Sequence, residues 1–155
     1  MSIEGKTWGW ELARNSGLLV KIFGDYPSFH DSAVTTFSLQ RKRRSCDGLD
    51  SKPLPTGRAR YLVDLQLEVL HDRYAAPRID GGPDYLVVLD ILDIRGSEID
   101  VNAMLEEASI MEISLSDALD DLIRFDLEPN IGLDIRLTCK EVVVSAIRPY
   151  SRSEF

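Results

Sequence analysis

The stretch Tyr61-Leu62-Val63-Asp64-Leu65-Gln66-Leu67-Glu68-Val69 decides the fold class. Tyr61, Val63, Leu65, Leu67 and Val69 fall on one side of an extended chain and Asp64, Gln66 and Glu68 on the other, the pattern of an antiparallel strand with one wet face. Upstream, Ala33, Thr35, Phe37 and Leu39 alternate with Val34, Thr36 and Ser38 in a second strand. It runs into Arg41-Lys42-Arg43-Arg44 and then a Gly/Pro/Ser-rich segment, residues 45–57, that reads as a mobile loop. Downstream, the turn cluster Arg78 to Asp84 leads into Tyr85 to Ile94, whose continuous Leu86-Val87-Val88-Leu89 predicts a strand covered on both faces in its first half. Residues 101–107 allow a turn of helix. Four more alternating runs follow: Met111/Ile113/Leu115, Ile123/Phe125/Leu127, Ile131/Leu133/Ile135/Leu137 and Val142/Val144/Ala146.

About seven short strands with so little helical pattern exclude a doubly wound parallel sheet, since each parallel crossover takes roughly a dozen residues or more. The expected class is α+β: mainly an antiparallel β-sheet or sandwich with one or two short helices, in a single domain over residues 1–155. The helix is placed at Asn15 to Phe23, with Asn15 as N-cap, Gly24 as terminator and an apolar stripe of Leu18, Leu19, Ile22 and Phe23. Before it, Trp8 and Trp10 share a side if their segment is extended, which favours core packing. Tyr26-Pro27 predicts a turn, because the proline ring fixes its own backbone and restricts its neighbour.

A chain of 155 residues with 44% hydrophobic and 28% charged residues has an ordinary globular composition. Cys46 and Cys139 form no CxxC pair, so neither a disulfide framework nor structural zinc is expected. The start lacks a signal-peptide pattern and no apolar run approaches the ~20 residues of a spanning helix, which makes the cytoplasm the expected compartment. The net charge of -8 is uneven: residues 1–60 carry +4 and the remainder -12. Between residues 80 and 134, fifteen carboxylates face only Arg95 and Arg124. Such a field repels phosphate backbones and attracts basic surfaces.

Catalytic signals are sparse. His30-Asp31 pairs a potential general base with a carboxylate, but in an extended segment the two side chains point apart. His71-Asp72 repeats the dipeptide at the end of a strand. No nucleophile motif, metal-ligand spacing or phosphate loop accompanies them; Gly81-Gly82-Pro83 lacks the required helix start. Pro27, Phe29, His30 and Asp31 read as a structural turn leading into the first strand. The expectation is no enzyme, no cofactor and no metal. Four basic residues at 41–44 without an aromatic platform are poor evidence for nucleic acid.

The segment Phe23-Gly24-Asp25-Tyr26-Pro27-Ser28-Phe29-His30-Asp31, with the Trp-containing start before it and the Ala33 to Leu39 strand after it, resembles the bacterial immunity protein 50 family. The ending is similar too, in Glu128 to Leu133, Cys139 and the strand from Val142 to Pro149. The resemblance implies an inhibitor that neutralises a polymorphic toxin by occupying it. A toxin with a basic surface would meet the acidic region, and Glu106, Glu107, Asp120, Asp121, Asp126 and Glu128 are the candidate contacts. The alternatives are a small hydrolase or lyase using His30 and Asp31, with His71, or an interaction module with another partner.

Overall fold

A computed structural model describes residues 6–44, 46–47, 52–53, 60–101 and 107–154. In chain order the elements are α1 (Gly17–Phe23), β1 (Ala33–Arg44), β2 (Cys46–Asp47), β3 (Lys52–Pro53), β4 (Arg60–Leu70), β5 (Asp84–Asp100), β6 (Ser109–Asp117), β7 (Ile123–Ile131) and β8 (Asp134–Tyr150). Short 3-10 turns lie at Trp10–Leu12, Leu119–Asp121 and Arg152–Glu154. Six strands form one antiparallel sheet in the order β1-β4-β5-β8-β7-β6, and it closes into a barrel. The α+β class with a mainly antiparallel sheet and few helices is therefore the one adopted, with barrel closure instead of two stacked sheets. β2 and β3 pair separately, as the described part of the segment expected to be a mobile loop. Most of the helical turn expected at 101–107 lies outside the described residues, as does Glu106.

The β5–β8 ribbon is the spine, paired from Asp84↔Tyr150 to Asp100↔Asp134. β4 covers only Leu86 to Ile91 of β5, and β7 covers only Ile135 to Cys139 of β8. This partial cover corrects the reading of the deciding stretch. Leu65, Leu67 and Val69 are fully buried as expected, but Tyr61 and Val63 are exposed while Leu62 is buried. The burial parity switches between Asp64 and Leu65, where β4 parts from β5 and pairs with β1 alone, so that Leu62 and Asp64 are the buried residues at that end.

Other departures are equally local. A bulge between Val34 and Thr36 breaks the alternation of β1, so that Val34 and Phe37 both pack on the core, while Leu39 further along is exposed. The run Ile131 to Leu137 is no single strand: Gly132, at φ +100°, turns β7 into β8. The β5 run behaves as expected, with Val87, Leu89 and Ile91 in the main core and Leu86 in a smaller cluster with Ala33, Leu70 and Tyr150.

β1 and β6 share only the Ala33↔Ser109 pair, so strands alone would leave a seam. Backbone from the N-terminal segment completes it. Asp31 N donates to Ile110 O (3.0 Å), Ile110 N to Ser32 O (2.8 Å), Ile113 N to Ser28 O (3.0 Å) and Leu115 N to Trp8 O (2.8 Å). Across the gap, Arg14 N donates to Val142 O (2.8 Å) and Arg14 O accepts from Val144 N (3.0 Å). Residues 8–14 thus strap β6 to β8 and drive Trp10 into the core, fully buried, its ring centroid 5.4 Å from that of Phe29 and its Nε1 donating to Pro27 O (3.2 Å). The segment is not extended, because Trp8 and Gly9 are left-handed and Trp10 opens a 3-10 turn; Trp10 lies in the core and Trp8 packs partly buried against it.

The N-cap of α1 lies one residue later than expected. Asn15 sits at φ +62° and Ser16 occupies the N-cap position without a side-chain cap bond. Leu19 is buried and Phe23 partly so, but Leu18 and Ile22 are 36% and 37% exposed. The apolar stripe therefore turns outward in part.

Candidate functional site

The acidic residues are strung along the barrel wall. On β7 the inward Phe125 and Leu127 alternate with the outward Arg124, Asp126 and Glu128, so the carboxylates do occupy the wet face. Arg124 interrupts the row, its Nε lying 3.0 Å from Asp126 Oδ2. Asp120 and Asp121 are exposed in the left-handed turn joining β6 to β7, whereas Glu107 precedes β6 at the far end of that hairpin. Nine residues of strand separate these ends by roughly 30 Å, so the candidates make a stripe and not one spot. Across the sheet, Glu112 opposes Glu128 and Asp100 opposes Asp134. Like charges in directly opposed positions work against a sheet. Lys6 offsets the first pair, its Nζ 3.6 Å from Glu112 Oε1, and Arg136 the second, its Nε 3.7 Å from Asp134 Oδ1.

A second site gathers what the sequence scatters. A cleft of about 440 Å³ is lined by Trp8, Ile22, the 25–31 turn and the 71–78 turn, which brings His30, Asp31, His71 and Asp72 to one concavity. His30 and Asp31 do not point apart. Phe29 and Asp31 both have positive φ, so the segment is folded back, and His30 Nε2 lies 3.5 Å from Asp31 Oδ1. His30 Nδ1 donates to Met111 O at 3.1 Å, tying the ring to β6. Phe29 is buried beneath and anchors the turn in the core.

His71 is held differently. Its ring stands 4.2 Å from that of Phe23 and 5.8 Å from that of Phe29, and Nδ1 lies 3.5 Å from Asp72 Oδ2. Burial among these rings lowers its pKa, against the opposing pull of Asp72, which keeps the imidazole neutral near pH 7. The two dipeptides are stitched together: Tyr74 N donates to Asp31 O (2.8 Å) and Asp72 N to Ser32 Oγ (3.2 Å). Sequence reasoning missed the brace behind them. Arg152 donates to Asp72 O (2.9 Å), Ala75 O (2.8 Å) and Asp84 Oδ2 (2.8 Å), and Tyr150 Oη donates to His71 O (3.1 Å). An isolated arginine after the last strand carries no signal of such a role.

Neither site is arranged for a metal: no cluster of three or more His, Cys, Asp or Glu suited to one occurs among the described residues. Burial pushes the Cys139 thiol up to about 12, so this cysteine is inert as a nucleophile. No helix among the described residues is long and apolar enough to cross a membrane. No protein-family model, curated protein or solved structure matches the chain.

Proposed function

We propose that this chain is an immunity protein that binds a cognate bacterial toxin and neutralises it by occupancy. The observation that carries the reading is the acidic wall of β6, β7 and β8. Its opposed pair Glu112/Glu128, together with Asp120, Asp121 and Asp126 on the same hairpin, gathers negative charge that a basic partner complements. The resemblance of the Phe23 to Asp31 segment to immunity protein 50 supplies the class of partner. An acidic inhibitor associates quickly with a cationic surface, at up to about 10⁸ to 10⁹ M⁻¹s⁻¹ at low salt, and rapid capture suits a protein that must intercept a toxin inside its own producer.

Co-purification and stopped-flow association with the toxin encoded beside this gene test the reading. A stable one-to-one complex is expected, with protection of cells expressing both. Reversing Asp120, Asp121 and Asp126 together to lysine is expected to slow association by about 10-fold at low salt and to flatten its salt dependence, while Glu11→Lys changes little. The triple change is the informative one, because a single exposed pair contributes only ~0 to 1 kcal/mol. Absence of both binding and protection overturns the assignment; unaltered kinetics in a folded triple variant move the interface off this stripe.

The cleft favours a second reading, an acid–base hydrolase or lyase, because it brings His30, Asp31 and a neutral His71 to one concavity. Turnover of an ester or phosphodiester substrate that vanishes in His30→Ala and His71→Gln variants of unchanged thermal stability would establish it. Loss of stability alone, without any turnover in the parent protein, identifies the histidines as structural.

A further inference from the structure

The cleft and the outward side of α1 form a feature that the acidic stripe does not include. Three carboxylates line the cleft, those of Asp25, Asp31 and Asp72, together with the aromatic rings of Trp8, Phe23 and Tyr26. Arg78 reaches the same rim, but its guanidinium forks onto Asp80, with Nε 3.3 Å from Oδ1 and Nη2 3.2 Å from Oδ2, so its charge is matched locally. Aromatic faces and carboxylates together suit a cation: the rings offer their negative faces and the carboxylates supply fixed charge and acceptors. Lys6 shows the preference in miniature, its Nζ lying 5.1 Å from the centroid of the Trp8 ring.

The rim is apolar on one side. Ile22 lines the cleft and Leu18 stands one helical turn before it, both more than a third exposed. A small polar pocket beside exposed aliphatic side chains is the arrangement of an interface anchor, where one buried contact is ringed by groups that keep water out. The cleft also adjoins the acidic wall, since His30 bonds the Met111 carbonyl and the next residue, Glu112, opens the stripe.

We infer that this cleft is the anchor point for a basic side chain, arginine or lysine, of the bound protein, with Leu18 and Ile22 covering an apolar residue beside it. The inference rests on the binding function proposed above and adds its specificity: the partner must present a cation flanked by an apolar contact. Backbone geometry makes the cleft rigid enough for that task. Trp8 and Phe29 hold left-handed φ values, a conformation that aromatic residues keep only where surrounding structure enforces it, and Asp31 and Asp72 share it.

Nα-acetyl-arginine-N-methylamide serves as the probe, with the isosteric but uncharged citrulline derivative as control. NMR titration of the full chain is expected to show saturable shifts of the Trp8 indole and His71 ring signals with the arginine derivative alone. Asp31→Asn and Asp72→Asn together should weaken that binding about 10-fold, and asparagine tolerates the left-handed backbone at both positions, so the fold is retained. Leu18→Ser with Ile22→Ser is an independent variant at exposed positions and should weaken the complex with the adjacently encoded toxin by a similar factor. Equal shifts with the citrulline derivative, or shifts undiminished in the double asparagine variant, overturn the inference whatever the toxin does. A toxin that binds wild type and both double variants with the same affinity overturns the anchor while leaving the immunity function standing. A toxin that binds none of them removes the proposed function, and the arginine titration then still decides whether the cleft takes a cation.

Discussion

Replacement of Gly9 by alanine is expected to cost about 3 to 5 kcal/mol, among the largest effects any single methyl group can have in this fold. The added Cβ would lie 1.8 Å from the Leu115 carbonyl oxygen, a backbone atom that cannot step aside. Gly9 also has φ +80°, where an L side chain costs about 1 to 3 kcal/mol by itself. Relief by retreat would stretch the Leu115 N to Trp8 O bond of 2.8 Å, forfeiting ~0.5 to 1.5 kcal/mol and loosening the strap over β6. Urea denaturation checks the figure, and the thermal midpoint should fall by about 10 °C. Gly24→Ala is the internal control. Its φ is +86° but nothing lies within 4 Å of the added atom, so only the conformational part of the penalty applies. Equal losses in the two variants would show that the close approach to β6 is immaterial.

Trp10→Ala should be comparably severe, at about 3 to 5 kcal/mol, because removing a fully buried indole leaves a cavity that the rigid strands cannot collapse into. The indole also donates to Pro27 O, linking the strap to the turn that carries His30. Trp10→Phe separates these contributions. It restores much of the ring volume against Phe29 but leaves the Pro27 carbonyl without that donor, for an expected loss of about 1 to 3 kcal/mol. Chemical denaturation of both variants measures the two losses. If the Phe variant is as unstable as the Ala variant, the hydrogen bond dominates; if it matches wild type, packing alone holds the strap.

The strands were legible where two neighbours cover them. Leu65, Leu67 and Val69 alternate with polar residues because β1 and β5 flank them, and period-two burial is what such flanking selects. Tyr61 and Val63 continue the same pattern past the edge of β5, but there the burial parity has switched and Leu62 and Asp64 face inward instead. The break at Gly132 was equally hard to see, since Ile131 and Leu133 keep the apolar period while the backbone reverses. At the candidate sites, outward placement of Asp126 and Glu128 followed from the inward Phe125 and Leu127 alone. The cleft did not. His30 and Asp31 meet because Phe29 and Asp31 are left-handed, a choice no dipeptide pattern announces, and His71 joins them only through the long-range ties of Tyr74 and Arg152.

The strand order has a consequence for how the molecule comes into being. β8, last in chain order among the barrel strands, lies between β5 and β7 in the interior of the sheet, and the strap at residues 8–14 docks against both it and β6. No fragment emerging from the ribosome before the first part of β8, residues 134–139, can therefore bridge β5 to β7 with native pairings. The earlier strands must wait as exposed hairpins, and sheet closure is bound to contacts between distant parts of the chain, the class that forms slowly and leaves unpaired edges open to intermolecular association in the meantime. The finished barrel hides its edges, but the nascent chain has to survive with them bare.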